Sequence, residues 1–125
     1  MKLQDIFDNW YFQTNLYEMS NFRSDRTGLP NGVEIFVRTE PVTLPHVKYR
    51  IKLNHAQKGS AVFAIWGDEA IQVAGNWKVT GTDLNKVKTL VLLNQKHLIK
   101  YIDGVEDSGD MNDSFISNKQ QVLNS

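Results

Sequence analysis

The stretch TDLNKVKTLVLLNQKHLIKYI, residues 82–102, constrains the fold more than any other, because it is the longest segment with one clear helical period. Leu84, Val87, Val91, Leu98 and Ile102 lie along one stripe with Leu90 beside it, while Lys86, Lys88, Gln95, Lys96 and Lys100 border or oppose it. Gly81-Thr82-Asp83 supplies the start signal. Gly104 supplies the stop, with lysines in the preceding turns complementing the helix dipole. An amphipathic helix of this length must cover something, and the strands that precede it are the partner it requires.

Those strands read clearly. VEIFVRT after Asn31-Gly32 alternates, with Val33, Ile35 and Val37 on one face and Glu34, Phe36 and Arg38 on the other. VKYRIKL places Val47, Tyr49, Ile51 and Leu53 opposite Lys48, Arg50 and Lys52. SAVFAIW is apolar on both faces and predicts a strand that is central or covered on both sides. AIQVAGNWKV follows across a Gly67-Asp68 turn, with Gly75 marking a bulge. The prolines at 41 and 45 exclude the segment between them from a central ladder.

At the N-terminus, Leu3, Ile6, Phe7, Trp10 and Tyr11 predict a helix over residues 2–12. Residues 13–32 read mainly as a connection, with Leu16, Tyr17, Met19 and Phe22 spaced for a second short helix. From residue 105 the composition turns acidic and polar, with only scattered Met111, Phe115, Ile116, Val122 and Leu123. Residues 1–104 carry thirteen Lys+Arg against ten Asp+Glu and residues 105–125 one against four. So little apolar surface predicts a flexible tail. The expected architecture is therefore α+β: one domain over 1–104, with a mainly antiparallel four-stranded sheet packed against one long C-terminal helix and an N-terminal helix at its side.

Composition bounds the chemistry. With no cysteine, disulfides and thiolate metal sites are excluded. MKLQDIFDNWYF lacks the basic start and continuous apolar run of a signal peptide, and no span is long enough to cross a bilayer, so a cytoplasmic protein without membrane contact is expected. His46, His55 and His97 have none of the spacings of a histidine metal site. Asp107, Asp110 and Asp113 imitate a calcium loop, but the glycine is misplaced and the closing glutamate is missing. No nucleophile elbow, phosphate loop or dinucleotide fingerprint is present, and neither cofactor nor metal is expected.

The segments GVEIFVR, LPHVKY, SAVFAIWGDEAIQVAG and TDLNKVKTLVLLNQKHL together resemble the bacterial family known as domain of unknown function 4160, over about residues 28–103. That family's pattern has a Pro-Pro-His-x-His segment before its second strand, and here Leu44-Pro45-His46-Val47-Lys48 keeps a single Pro-His. The resemblance implies a mobile-element or toxin–antitoxin-like setting and no particular reaction.

The one strip of side chains with a chemical reading is Lys48, Arg50 and Lys52, about 7 Å apart along a strand. That spacing approximates successive phosphates of a nucleic acid. Arg38 and Lys58 could widen the strip, and Phe36 or Tyr49 could stack on a base. Alternating lysines also guard edge strands against aggregation, and a formal net charge of zero favours that role. The expected function is a non-enzymatic interaction protein of a bacterial or phage mobile element, with another protein as partner. The alternative is a nucleic-acid-directed protein, a ribonuclease-like toxin with His46 as acid/base and Lys48 and Arg50 on phosphate.

Overall fold

Antiparallel alternation builds a sheet in which spatial order repeats chain order. The computed structural model describes residues 19–38 and 49–125. Within them β1 (Met19–Phe22), β2 (Val33–Arg38), β3 (Arg50–His55), β4 (Gly59–Trp66) and β5 (Glu69–Ala74) form one five-stranded meander, each strand antiparallel to the next. A single turn of helix, α1 (Ser24–Thr27), links β1 to β2. Two longer helices follow the sheet, α2 (Gly81–Ile102) and α3 (Ser108–Leu123). The α+β class is as expected. The helix expected over residues 2–12 and the segment between the prolines lie outside the described residues.

Register sorts the side chains into two faces. Phe22 stands opposite Ile35, Ile35 opposite Leu53, Ile51 opposite Phe63 and Ile65 opposite Ala70. All are buried, and they share one core with Val87, Leu90, Val91, Leu98, Tyr101 and Ile102 of α2. At the far end of α2 the stop signal works as expected. Gly104 takes a positive φ of 79°, its N–H bonds the Tyr101 carbonyl at 3.1 Å, and the Val105 N–H reaches back to Lys100 at 2.8 Å. The bulge also falls near its expected place: β4 and β5 slip register between Val62 and Phe63, and Gly75 ends β5. There a Cβ would lie 2.2 Å from the Ser60 carbonyl oxygen.

The sheet has one more strand than the four expected. Residues 19–22, read from spacing as part of a short helix, instead pair with β2. The strand is only four residues long with Ser20 and Asn21 at its centre, so alternation has no room to show. Phe22 anchors it, with its ring edge-on to Phe115 at 4.9 Å and to Tyr101 at 6.4 Å.

The larger correction concerns residues 105–125, expected to be a flexible polar tail. They form α3, opened by a capping box in which the Asp107 side chain accepts the Asp110 N–H at 2.9 Å and the Asp110 carboxylate accepts the Asp107 N–H at 3.2 Å. The acids that imitate a calcium loop are thus a helix start. Met111, Phe115 and Val122 fall on one stripe and are buried in the common core. Polar side chains complete that stripe. Asn94, buried on α2, donates to the Leu90 carbonyl at 2.8 Å, while its Oδ1 accepts from Ser114 Oγ at 2.5 Å and from Asn118 Nδ2 at 3.0 Å. A segment poor in apolar residues packs because its polar groups are satisfied at the interface.

The other end of α3 is also tied down. Lys86 donates to the Leu123 carbonyl at 2.6 Å, placing an ammonium at the negative end of the helix dipole. Gly28, with φ of 85°, brings α1 so close that a Cβ would lie 2.6 Å from the Lys119 carbonyl oxygen. Removing residues 106–125 would strip Phe115 from Phe22 and take Ser114 and Asn118 from buried Asn94. A chain truncated after Val105 is therefore expected to lose cooperative thermal unfolding by circular dichroism. A truncated protein melting within a few degrees of the intact one would show that α3 contributes nothing to the core.

Candidate interaction surface

Of the residues proposed to bind phosphate, His46 and Lys48 lie outside the described residues. Arg38 closes β2 opposite Met19. Arg50 and Lys52 do share one face of β3, as alternation requires, but that face is covered: Arg50 is 2% exposed and Lys52 is 7%. Their cross-strand neighbours Ala64 and Val62 are buried as well. Both cations have interaction partners in the structure, so neither is free. Lys58 sits apart on the β3–β4 turn, 3.4 Å from the Asp83 carboxylate in an exposed pair worth about 1 kcal/mol at most. The expected solvent-facing row of Lys48, Arg50 and Lys52 is thereby corrected at two of its three positions, since a side chain inside the protein cannot track a polyanion in water.

The signal for this burial was present in the sequence. Alternation shows which side chains share a face, and the strand SAVFAIW is apolar on both of its faces. Register places Val62 and Ala64 beside Lys52 and Arg50, so one covered face includes all four.

The remaining titratable candidates have local structural roles. His55 Nδ1 accepts the N–H groups of Gln57 and Lys58 at 3.0 and 3.1 Å, which closes the β3–β4 turn, and its ring meets Trp77 edge-on at 5.3 Å. His97 Nδ1 lies 2.8 Å from the Glu106 carboxylate, which Lys100 also approaches at 3.8 Å, so the three join the end of α2 to the loop beyond it. Tyr49 donates to the Asp103 carboxylate at 3.0 Å. Among the described residues, no group of three His, Cys, Asp or Glu side chains is placed to hold a metal ion, and no helix is long and apolar enough to cross a membrane.

Sequence reasoning missed the surface at the end of the sheet. Trp66 is 63% exposed and Ile71 45%. Trp66 stands opposite Glu69 and Ala64 opposite Ile71, so both large side chains share the face that carries Arg50 and Lys52. The Gly67-Asp68 turn between β4 and β5 is held from below, where Gln95 of α2 donates to the Gly67 carbonyl. β5 is the last strand of the sheet, and among the described residues its backbone makes no hydrogen bond beyond β4 to another backbone group. Its sequence, EAIQVA, contains neither the lysine nor the proline that usually guards such an edge.

Charge is divided between the ends of this edge. Asp68 and Glu69 are exposed at its start. At its end Lys78, also exposed, lines a recess of about 230 Å³ with Gln72, Val73, Ala74 and Gly75. A second cleft, of about 380 Å³, is lined by Asn21, Arg23, Asp25 and Arg26, so its cations have an acid among them.

No family model, curated protein or solved structure matches the chain.

The burial of Lys52 has a measurable consequence. Lys52→Gln is expected to lower stability by about 1–3 kcal/mol, because the group that Lys52 contacts inside the protein loses its cationic partner. Chemical denaturation of the two proteins measures the difference. An unchanged midpoint would place Lys52 on the surface.

Proposed function

We propose that this chain is a non-enzymatic interaction protein that binds another macromolecule through the β4–β5 edge of its sheet. The observation that carries the reading is Trp66, a large aromatic ring more than half exposed on the same face as exposed Ile71, beside a strand with an open backbone edge. Aromatic residues are enriched where proteins meet, and an open strand edge offers ready-made main-chain hydrogen bonds. Val105, Leu92, Ile116 and Leu123 are exposed too, but they lie on the helices and their connection. Only Trp66 and Ile71 combine apolar exposure with paired strands and a free edge among the described residues.

A protein partner accords with the burial of Arg50 and Lys52, which removes two of the five cations behind the nucleic-acid alternative. The non-enzymatic reading is supported by the turn-closing contact of His55 and the helix-end contact of His97. The resemblance over residues 28–103 adds a bacterial mobile-element setting to the proposal.

A photo-crosslinking amino acid in place of Ile71, in the full chain expressed in its native cells, is expected to give a discrete macromolecular adduct. The same group in place of Leu92 should give none. Equal labelling from both positions, or none from either, would remove the β4–β5 edge as the recognition surface.

A further inference from the structure

We infer that the macromolecule seated on the β4–β5 edge is a second copy of this chain, joined β5 to β5 in a symmetric antiparallel pair. The inference rests on reading that edge as the recognition surface, and it adds the identity of the partner. Its ground is the charge arrangement of the strand: acidic residues at one end, Asp68 and Glu69, and an exposed lysine beside the other, Lys78. Among the described residues neither Glu69 nor Lys78 has an ion-pair partner. An antiparallel twofold pairing brings the start of one β5 to the end of the other, so each carboxylate end meets a lysine end twice over.

The register follows from strand geometry. Residues directly opposite each other in an antiparallel pair point to the same face, so a twofold axis through the sheet must centre on a single residue. Centring on Ile71 sets the two Ile71 side chains together and puts Glu69 opposite Val73 of the second copy. Val73 lines the same recess as Lys78, so each Glu69 is brought to the recess that Lys78 lines in the second copy. On the same face each Trp66 lies one strand inward, and the pair of isoleucines is flanked by the two indoles. The apolar surface that each copy exposes alone becomes one continuous strip along one face of a ten-stranded sheet.

One feature limits the strength of the contact and another permits it. The bulge between Val62 and Phe63 confines the straight part of β5 to about four residues, which shortens the new ladder. The formal net charge of zero means that two copies meet without overall repulsion. The association is therefore of the weak, reversible class, with a dissociation constant on the order of tens of micromolar.

Sedimentation equilibrium of the full chain at about 5 and about 200 µM tests this, concentrations that bracket such an affinity. The unmodified protein is expected to shift from its monomer mass of 14.3 kDa toward twice that value. Glu69→Lys sets lysine against lysine and should stay monomeric at the higher concentration, while Glu69→Lys combined with Lys78→Glu should recover the dimer. All of these positions are exposed, and circular dichroism checks that each variant is folded. An unmodified protein that remains monomeric at the higher concentration overturns the inference, as does a Glu69→Lys variant that dimerises like the original. Crosslinking from position 71 separates the two levels. A monomer that still gives a discrete adduct with a different protein leaves the edge as the recognition surface with another occupant, whereas no adduct at all defeats both readings.

Discussion

The contact of three aromatic rings, Phe22 on β1, Tyr101 on α2 and Phe115 on α3, is the interaction on which the rest of the structure depends. It joins the first described strand to the last helix and spans more than ninety positions of sequence. Burying a phenylalanine contributes about 1.5–3 kcal/mol, and an edge-to-face pair about 0.5–1.5 kcal/mol more. Against a typical total of about 5–15 kcal/mol, this one cluster is a sizeable fraction. It also fixes topology. With Phe22 held by α2 and α3, the core face of the sheet is closed, and the opposite edge at β5 is left as the open end.

The pairing of α2 with α3 is settled by a different kind of contact. Asn94 interrupts the apolar stripe of α2 where a leucine would bury more carbon. Its amide instead satisfies Ser114, Asn118 and the Leu90 carbonyl at once. Each such hydrogen bond adds only about 1 kcal/mol net, but leaving any of these buried groups unpaired costs more. A slip of α3 by one turn would move at least one of Ser114 and Asn118 away from Asn94 and leave it without that partner. Apolar burial brings the helices together, and the asparagine selects their register.

How much of this was legible in the sequence varies by element, for physical reasons. β2 through β5 and α2 are long enough for their periods to show, and Gly104 and the region of Gly75 announce themselves because the backbone there needs glycine. β1 is too short for any period. α3 was missed because composition counts apolar residues without regard to position. Met111, Phe115 and Val122 are few, yet they fall on one stripe, and Ser114 and Asn118 gain their value only opposite Asn94, which local sequence cannot reveal. The phosphate-binding strip failed for a related reason: alternation assigned Arg50 and Lys52 to the correct face, but the cue that this face is covered lies on the neighbouring strand, in Val62 and Ala64, and only register joins the two. Trp66 is the reverse case. In sequence it belongs with buried Val62 and Ala64, but it is the last residue of β4, opposite exposed Glu69, and stands in water.

α3 belongs to the folding core, and among the described residues the outer edge of β5 stands open. Amide hydrogen exchange, residue by residue in dilute protein, tests both halves directly. Amides from Met111 to Val122 are predicted to exchange as slowly as those of β3 and β4, through global unfolding, while the β5 amides that point away from β4 exchange at rates close to those of the loops. Rapid exchange throughout Met111 to Val122, or full protection along both edges of β5 at high dilution, would contradict it.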